Sequence, residues 1–250
     1  MTKSKIPKKL LGALCISASV FTPFCWAQDA YTLQGDVGGA VYRTPAITRT
    51  ADSTNALLPY AYADYGPFYA RINTLGYKVM PLGAGHMEIS ARVTLEGYKS
   101  AQAGIRDRAN PLPIGVGTFQ STEYGAFFAY DFYDPTSGGN LLDLMYAAKF
   151  SLGGVSFYPQ LGLERKSAKY VQHLYGISST ESTNSGLSTY SGKTSTTPNF
   201  GLTAEYPLVK DLSLVYQVRK KWFDSAITDS PLVQTKNQIS SYLAVTKSFH

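Results

Sequence analysis

The chain has 250 residues, of which 44% are apolar and only 16% are charged. This composition, together with 19 Tyr and 22 Gly, suits one ordinary domain and excludes a disordered chain or a coiled coil. The formal charge of +6 is concentrated at the N-terminus, because the first 27 residues carry four lysines and no acidic residue, whereas residues 28–250 carry 19 basic and 17 acidic residues. No nucleic-acid partner is therefore expected.

The first 27 residues have the pattern of a secretory signal peptide. Their basic stretch is followed by an uncharged run that ends at Cys25-Trp26-Ala27, with small residues at the outer positions of a cleavage site. Cleavage is predicted after Ala27. An N-terminal membrane anchor is the alternative, and it fits less well because Pro23 interrupts a short apolar run. Both cysteines, Cys15 and Cys25, belong to this segment, so the exported chain is expected to contain no disulfide and no cysteine-based metal site.

Alternation of apolar and polar residues recurs along the rest of the chain, which predicts β-strands. The alternating runs are 31–42, 87–96, 124–133, 142–150, 155–164, 199–206 and 212–222. Segments rich in Gly, Pro, Asn, Asp and Ser separate them, and no uncharged stretch reaches the roughly 20 residues that a transmembrane helix needs. The prediction is an all-β chain with 10–12 antiparallel strands, and twelve are expected because an even number returns both termini to the same side.

Three features favour a transmembrane barrel, with its apolar face towards lipid, over a soluble barrel or sandwich. The polar phase carries charges of both signs at mid-strand: Glu88, Arg92, Asp131, Asp143, Lys149, Glu205 and Arg219. Aromatic residues cluster near predicted strand ends, as in an interfacial girdle: Tyr60, Tyr62, Tyr65, Tyr130, Phe132, Tyr133, Trp222 and Phe223. The chain also ends in an amphipathic strand that closes on the aromatic residue Phe249. Residues 28–250 are therefore predicted to form one barrel in the outer membrane of a Gram-negative cell.

The loops are assigned to the two sides of the membrane by counting strands back from the C-terminus. Four long polar segments are predicted to be extracellular: 44–58, 98–113, 178–198 and 224–237. Short turns near 134–140, 165–168 and 207–211 are predicted to face the periplasm. Segment 178–198 has the Ser-, Thr-, Gly- and Asn-rich composition of exposed, mobile backbone. At Gly66-Pro67 the sequence leaves open whether the chain makes a turn or only a bulge.

Three motifs in the second half resemble the MipA/OmpV family of outer-membrane proteins. They occur in the family's order and are Leu174-Tyr175-Gly176-Ile177-Ser178, Ser185-Gly186-Leu187-Ser188-Thr189-Tyr190 and Asp229-Ser230-Pro231-Leu232-Val233. The first corresponds to a strand end in the family, and the other two to loops before the closing strand. The resemblance covers residues 170–249 and implies a barrel with no cofactor. For some members it implies a scaffold that joins a peptidoglycan hydrolase, the lytic transglycosylase, to a murein synthase.

No catalytic constellation is recognised in the sequence. A Ser-His-acid site needs a base within hydrogen-bond reach of a hydroxyl, but His86 is placed in a Gly-rich turn, His173 in the middle of a strand and His250 at the terminus. Asp131 and Asp134 could pair as acid and base. However, Asp134 precedes a proline, where an aspartate commonly begins a turn. No catalytic residue is predicted.

Metal and cofactor sites are not predicted either. The chain has no His-x-x-x-His and no calcium loop, and Gly115-Val116-Gly117 lacks the following helix or lysine that would cradle a phosphate. Four arginines are placed in outer loops, where they could meet anionic lipopolysaccharide or be ordinary solvated charge: Arg43, Arg49, Arg106 and Arg108.

The leading functional hypothesis is a non-enzymatic outer-membrane scaffold or interaction protein in peptidoglycan remodelling, with outer-membrane lipid as its surroundings. A small-solute channel is the alternative, and an outer-membrane hydrolase is the third. An open channel would favour lumen charges of one sign, whereas the predicted lumen mixes Arg92, Lys149, Arg219 and Lys221 with Glu88, Glu96, Asp143, Glu164 and Glu205. Mixed signs favour internal ion pairs that fill a narrow bore.

Overall fold

The computed structural model describes residues 31–250. The predicted signal peptide, its cleavage site and both cysteines lie outside these residues. The strands are β1 (Leu33–Thr44), β2 (Thr54–Tyr65), β3 (Phe68–Arg71), β4 (Thr74–Leu82), β5 (Gly85–Arg92), β6 (Ile114–Thr122), β7 (Gly125–Asp134), β8 (Gly139–Ala147), β9 (Phe150–Leu152), β10 (Val155–Lys166), β11 (Ser195–Val209), β12 (Leu212–Trp222) and β13 (Asn237–Phe249). Three short helices interrupt them: α1 (Ala168–Tyr175), α2 (Ser179–Ser185) and α3 (Ser225–Thr228).

The strands form a closed antiparallel barrel. Consecutive strands pair with one another, except β8 and β9, and the pairing of β1 with β13 closes the ring. Both β8 and β9 pair with β10, so together they form one strand of the barrel, which therefore has twelve strands. The predicted all-β class and the predicted strand number are confirmed. No helix among residues 31–250 is long and apolar enough to cross a membrane.

The two phases of each strand face opposite sides of the barrel wall, as predicted. On β5, Glu88 is 0% exposed and Ser90 is 2% exposed, whereas the intervening Ile89 is 50% exposed. On β12, Ser213 and Gln217 are buried inside, and Tyr216 lies outside. Because the exposed phase is apolar, the outer wall suits lipid and the polar phase faces the lumen.

Strand β7 reverses the predicted phase. Asp131 is exposed on the outer wall, whereas Tyr130 and Phe132 are buried in the lumen, where their rings stack 5.5 Å apart. The placement of Asp131 in the lumen was therefore wrong, and so was the placement of these two rings in the lipid girdle. Tyr60 is buried in the lumen as well. Of the predicted girdle, Tyr65, Tyr133 and Trp222 are exposed on the outside, at 48%, 53% and 42%.

The two ends of the barrel differ, and we name them by their connections. At the turn end lie residue 31, where the described part of the chain begins, the C-terminus and five two-residue connections: 66–67, 83–84, 123–124, 153–154 and 210–211. At the loop end lie 45–53, 72–73, 93–113, 135–138, 167–194 and 223–236. The long segments share one end, as predicted, although the first is shorter because β2 begins at Thr54. Residues 66–67 are a turn between β2 and β3, which resolves the open alternative.

Two of the predicted periplasmic turns were wrong. The turn after β7 lies at the loop end with the long segments, and residues 165–168 end β10 and begin α1 there. Only the turn at 210–211 lies where it was predicted. The count back from the C-terminus shifted by one strand, because the segment around His173 was counted as a strand and is a helix.

A helix replaces the predicted strand end at residues 168–175. The hydroxyl of Ser167 accepts a hydrogen bond from the Tyr170 backbone N–H, which caps the first turn. Tyr170, Val171 and Leu174 are buried, and this spacing places them on one face of a helix. His173 therefore lies in α1 and not in a strand.

Candidate functional site

The loop end of the barrel is closed by an apolar core. Tyr170 and Leu174 of α1 are 0% exposed and pack in one cluster with Phe132 and Leu141, which point into the lumen from β7 and β8. Ile227 of α3 belongs to the same cluster. Because helix residues and inward strand residues share this core, the helices cover the barrel opening. We call this closure the cap.

A buried ion pair joins α2 to the loop at 93–113. Glu181 and Ser178 form a capping box at the start of α2, and Arg108 donates from Nη1 to Glu181 Oε1 at 2.9 Å. Arg108 Nη2 donates to the Gly176 carbonyl oxygen at 2.7 Å. Burial alone would raise the pKa of Glu181, but the hydrogen bonds from Ser178, Arg108 and Arg106 lower it to about 2.

The remaining loops interlock with this pair. The Ser230 hydroxyl donates to the Tyr175 carbonyl oxygen at 2.7 Å, and the Tyr190 hydroxyl donates to the Ala226 carbonyl oxygen at 2.8 Å. Thr48 forms an antiparallel bridge with Val233. Segment 178–198, predicted to be mobile, is therefore held by a helix cap and by contacts to two other loops.

Below the cap, lumen charges of opposite sign pair with one another. Arg92 contacts Asp143 at 2.7 Å, and Lys221 contacts Glu164 at 2.6 Å. Lys166 pairs with Glu96, whose other oxygen accepts a hydrogen bond at 2.9 Å from the hydroxyl of Tyr170 in α1. The predicted pairing of lumen charges is confirmed for Arg92 with Asp143 and for Lys221 with Glu164, whereas the partner of Glu96 is Lys166, which was not among the predicted lumen residues. The Tyr170 hydrogen bond connects these pairs to the cap.

On the side of the lumen formed by β2, β12 and β13, several side chains make contacts with neutral groups instead of ion pairs. Arg219 was predicted to take part in the charge pairing, but it donates to Gln160 Oε1 at 2.8 Å and contacts no carboxylate within 4.0 Å among the described residues. Tyr60 and Tyr242 are buried with their ring centroids 5.9 Å apart. These tyrosines, and not ion pairs, occupy this side of the bore.

The lumen opens at the turn end into an acidic cavity of about 550 Å³. Asp36 and Glu205 line it, with Asp36 Oδ1 accepting from the Ser248 hydroxyl at 2.6 Å and Glu205 Oε2 accepting from the Tyr158 hydroxyl at 3.0 Å. Neither carboxylate contacts a cationic side chain within 4.0 Å among residues 31–250. We call this cavity the acidic mouth.

A basic cluster lies beside the acidic mouth. Arg71 lines an adjoining cavity of about 220 Å³ and stacks on the rings of Tyr62 and Tyr69, at 4.8 and 5.0 Å from their centroids. Asp64 bridges Arg71 and Lys78 at 2.7 and 2.9 Å. Sequence reasoning missed this cluster, although the alternating Tyr60, Tyr62 and Asp64 of β2 could have revealed its inward phase.

The residues considered for catalysis do not come together. His86 lies on β5, His173 contacts the Ala109 carbonyl oxygen at 2.9 Å in the cap, and His250 lies 3.7 Å from Asp211 at the turn end. Asp131 points outwards, whereas Asp134 is buried and its Oδ2 accepts from the Ser137 backbone N–H at 2.7 Å. Asp134 thus organises the turn after β7, as its position before a proline predicted.

The other candidate residues separate into buried and exposed groups. Arg108 was placed among outer-loop charges, but it is 3% exposed and pairs with Glu181, whereas Arg43 and Arg49 are exposed. The Gly115-Val116-Gly117 segment, considered as a phosphate-binding loop, lies within strand β6. Gly117 packs against the Tyr130 ring, since a Cβ at this position would come 2.0 Å from it. Among residues 31–250, no group of three His, Cys, Asp or Glu side chains could hold a metal ion.

The closed barrel, with its apolar outer wall and polar lumen, defines an outer-membrane β-barrel protein. The family model of the MltA-interacting protein MipA matches residues 37–249, and the chain belongs to the MipA family. It is similar to the "Putative outer membrane protein YiaT" of Escherichia coli (strain K12), with 26% identity over 91% of this chain and 95% of that protein. It is also 30% identical to the "MltA-interacting protein" of the same organism, over 52% of this chain and 53% of that protein.

Proposed function

We propose that this outer-membrane barrel is a non-enzymatic scaffold that holds a peptidoglycan-remodelling enzyme at its turn end. The observation that carries the proposal is the contrast between the two ends, because the loop end is sealed by the cap and the turn end opens into the acidic mouth. Short turns face the periplasm in bacterial outer-membrane barrels. The turn end is therefore the side that faces the cell wall.

The choice of partner rests on the name of a relative and on the family resemblance. One relative is named for interacting with MltA. We extend an interaction of this kind to the present chain, with a lytic transglycosylase as the first partner and a murein synthase as the second. Asp36 and Glu205 lack cationic partners among the described residues, so a basic segment of the enzyme would complement them.

A retention experiment tests this proposal. The purified full-length barrel is immobilised in detergent, purified MltA is passed over it, and the double variant Asp36→Asn/Glu205→Gln is compared with the wild type. We expect retention by the wild type and a loss of about tenfold for the variant, since a desolvated charge pair contributes roughly 1.5 kcal/mol or more. The control Asp52→Asn/Asp229→Asn removes two exposed carboxylates at the loop end and should retain the enzyme fully. Absence of retention by the wild type would contradict the scaffold function.

A small-solute channel is the second candidate, and the cavity of about 550 Å³ at the turn end is the observation in its favour. Such a channel would require the cap to open, because α1 and α3 cover the other end of the lumen. Conductance measurements on the purified barrel separate this function from the scaffold.

We also propose that the exported domain begins after Ala27. The uncharged run that ends at Cys25-Trp26-Ala27 supports this cleavage position. The intact mass of the protein purified from outer membranes tests it, and the expected mass is that of residues 28–250. A mass that includes residues 1–27 would indicate an uncleaved anchor.

A further inference from the structure

Charged side chains are rare on the outer wall of the barrel. Among the strands of residues 31–250, five lie on the outward phase: Arg43, Asp131, Arg165, Lys220 and Lys247. Side chains two residues apart on a strand share one face. Val41 beside Arg43, Leu163 beside Arg165 and Trp222 beside Lys220 are exposed on the outer wall, at 57%, 37% and 42%. A charge on the lipid-facing wall is costly near the bilayer midplane and much less costly near the interfaces. Each of the five therefore requires a polar environment.

Three of these residues lie within two residues of the loop end of their strands, on one side of the barrel. Lys220 on β12 is level with Phe200 on β11, and Arg165 on β10 is level with Thr196. Strand β13 separates β12 from β1 on the other side of Lys220. Its residue Ser241 is level with Arg43 on β1 and with Val218 on β12, two residues before Lys220. Lys220 is one intervening strand and four residues of register from Arg165, and one intervening strand and two residues of register from Arg43. The three cations therefore form a band across five neighbouring strands, which lie about 4.8 Å apart. We call Arg43, Arg165 and Lys220 the basic belt.

The basic belt is not neutralised by the protein. None of its three side chains contacts a carboxylate within 4.0 Å among the described residues. Asp224 lies beside Thr196, but its two oxygens accept from the Ser195 hydroxyl at 2.9 Å and from the Thr196 backbone N–H at 2.6 Å. The outward Asp131 on β7 and Arg165 on β10 are both level with Leu142 on the intervening strand β8, although the two side chains form no ion pair. Arg43 and Lys220 have no outward carboxylate on the strands beside them. The belt therefore keeps a net charge of two when Asp131 is counted with it.

Its surroundings are those of a membrane interface. The Lys220 ammonium lies 5.2 Å from the ring centroid of Trp222, and tryptophan is enriched at the level of lipid headgroups. Lys169, Lys193 and Lys236 are exposed in the loops at this end of the barrel. Exposed carboxylates also lie at this end, at Asp52, Asp107 and Asp229, but exposed lysines and arginines outnumber them, so the net charge of the loop end is positive.

We propose that the basic belt binds the phosphate groups of an anionic lipid in the membrane leaflet at the loop end. A guanidinium group donates two parallel hydrogen bonds to one phosphate, and a lysine supplies a point charge. The acyl chains of the same lipid would lie against Phe200, which is level with Lys220, and against the apolar wall below the belt, where Tyr216 is exposed. The lipid thus supplies both the counter-charge and the apolar contact. This inference does not depend on the scaffold function.

Native mass spectrometry of the purified full-length barrel in a nonionic detergent tests the proposal. The probes are diphosphorylated lipid A, the same lipid after removal of its phosphates, and inorganic phosphate. We expect the wild type to retain diphosphorylated lipid A at least about tenfold more strongly than the dephosphorylated lipid, since hydrogen bonds from cationic side chains to a phosphate are stronger than those between neutral groups. Equal retention of the two lipids by the wild type would overturn the proposal without any variant. Equal occupancy by inorganic phosphate alone would also overturn it, because it would show a site for the free ion.

Variants then locate the site. Arg165→Gln/Lys220→Gln should lose most of the preference for the phosphorylated lipid, whereas the matched control Lys210→Gln/Lys247→Gln removes two cations at the turn end and should keep it. Heat-dependent gel mobility shows that both variants are folded. If the control loses the preference as fully as the belt variant, the binding is unspecific and the assignment to the belt is wrong.

Discussion

Arg108 and Glu181 form an ion pair of 2.9 Å between two loops that are 73 residues apart in the chain. The Arg108 side chain is 1% exposed and the Glu181 side chain is 10% exposed. Through this pair the loop at 93–113 and helix α2 become one unit of the cap. Removing one partner of a buried pair is costly because the other charge remains buried without compensation.

The variant Glu181→Gln should therefore loosen the cap while leaving the barrel intact. Glutamine can still reach back to the Ser178 backbone, so the capping box survives, and the loss isolates the charge. Breaking a buried pair costs about 3–5 kcal/mol. Limited trypsin digestion should cut within 167–194 much faster than in the wild type, whereas Glu123→Gln at the turn end should leave the rate unchanged. Equal digestion of Glu181→Gln and wild type would show that the pair does not hold the cap.

The cap should also weaken at acidic pH. The pKa of Glu181 is lowered to about 2 from the ordinary glutamate value of 4.5. Its contribution to stability is therefore complete above about pH 4.5 and is lost as the pH falls towards 2. Hydrogen exchange of the α2 amides, corrected for the intrinsic pH dependence, should accelerate in this window in the wild type. In Glu181→Gln this extra acceleration should be absent, and its persistence there would assign the effect to another group.

The lumen pairs should stabilise the barrel wall itself. Asp143→Asn leaves the Arg92 guanidinium in the lumen without its carboxylate at 2.7 Å, so the temperature at which the folded form unfolds on gels should fall. The double variant Arg92→Gln/Asp143→Asn should recover part of the loss, since no uncompensated charge remains. The single variant Arg92→Gln completes the comparison. If the double variant loses as much unfolding temperature as the two single variants together, or more, the two side chains do not stabilise each other and the pairing is contradicted.

Arginine on the outer wall should impair assembly according to its depth. Ile89 and Leu243 lie in the middle of β5 and β13 and are 50% and 47% exposed, so Ile89→Arg and Leu243→Arg should each cost about 2–4 kcal/mol. Val93, just beyond the end of β5, should tolerate arginine better. Gln34→Arg, in the acidic mouth, is the control for added charge and should assemble normally. The fraction of heat-modifiable protein in outer membranes measures each effect, and equal damage by Gln34→Arg would refute the assignment of inside and outside.

The sequence patterns predicted the strands of the barrel wall much better than the side chains that occupy the lumen. On β5 the two phases differ sharply, since Ile89 alternates with Glu88 and Ser90. On β7 they do not, because the lumen is filled there by aromatic side chains and the inward phase is as apolar as the outward one. The strand carries two aspartates, and the mid-strand one, Asp131, points outwards, so it indicates the wrong face. A sealed lumen therefore removes the contrast on which strand phase is predicted.

The cap was missed for a related reason. Residues 168–175 carry a helical apolar face, but this helix has only eight residues and follows a strand without a glycine or proline between them. The buried Arg108 looks like any loop arginine until its partner is known. Such contacts join segments more than 70 residues apart, and no local pattern encodes them.

The most direct test of the central claim is the steady conductance of the purified barrel in planar bilayers. The cap and the lumen pairs close the bore, so the wild type should show little or no steady ion current, and Tyr170→Ala, which removes both cap packing and the hydrogen bond to Glu96, should increase it. Robust, ion-selective single-channel currents from the wild type, unchanged in Tyr170→Ala, would contradict a sealed scaffold and establish a channel.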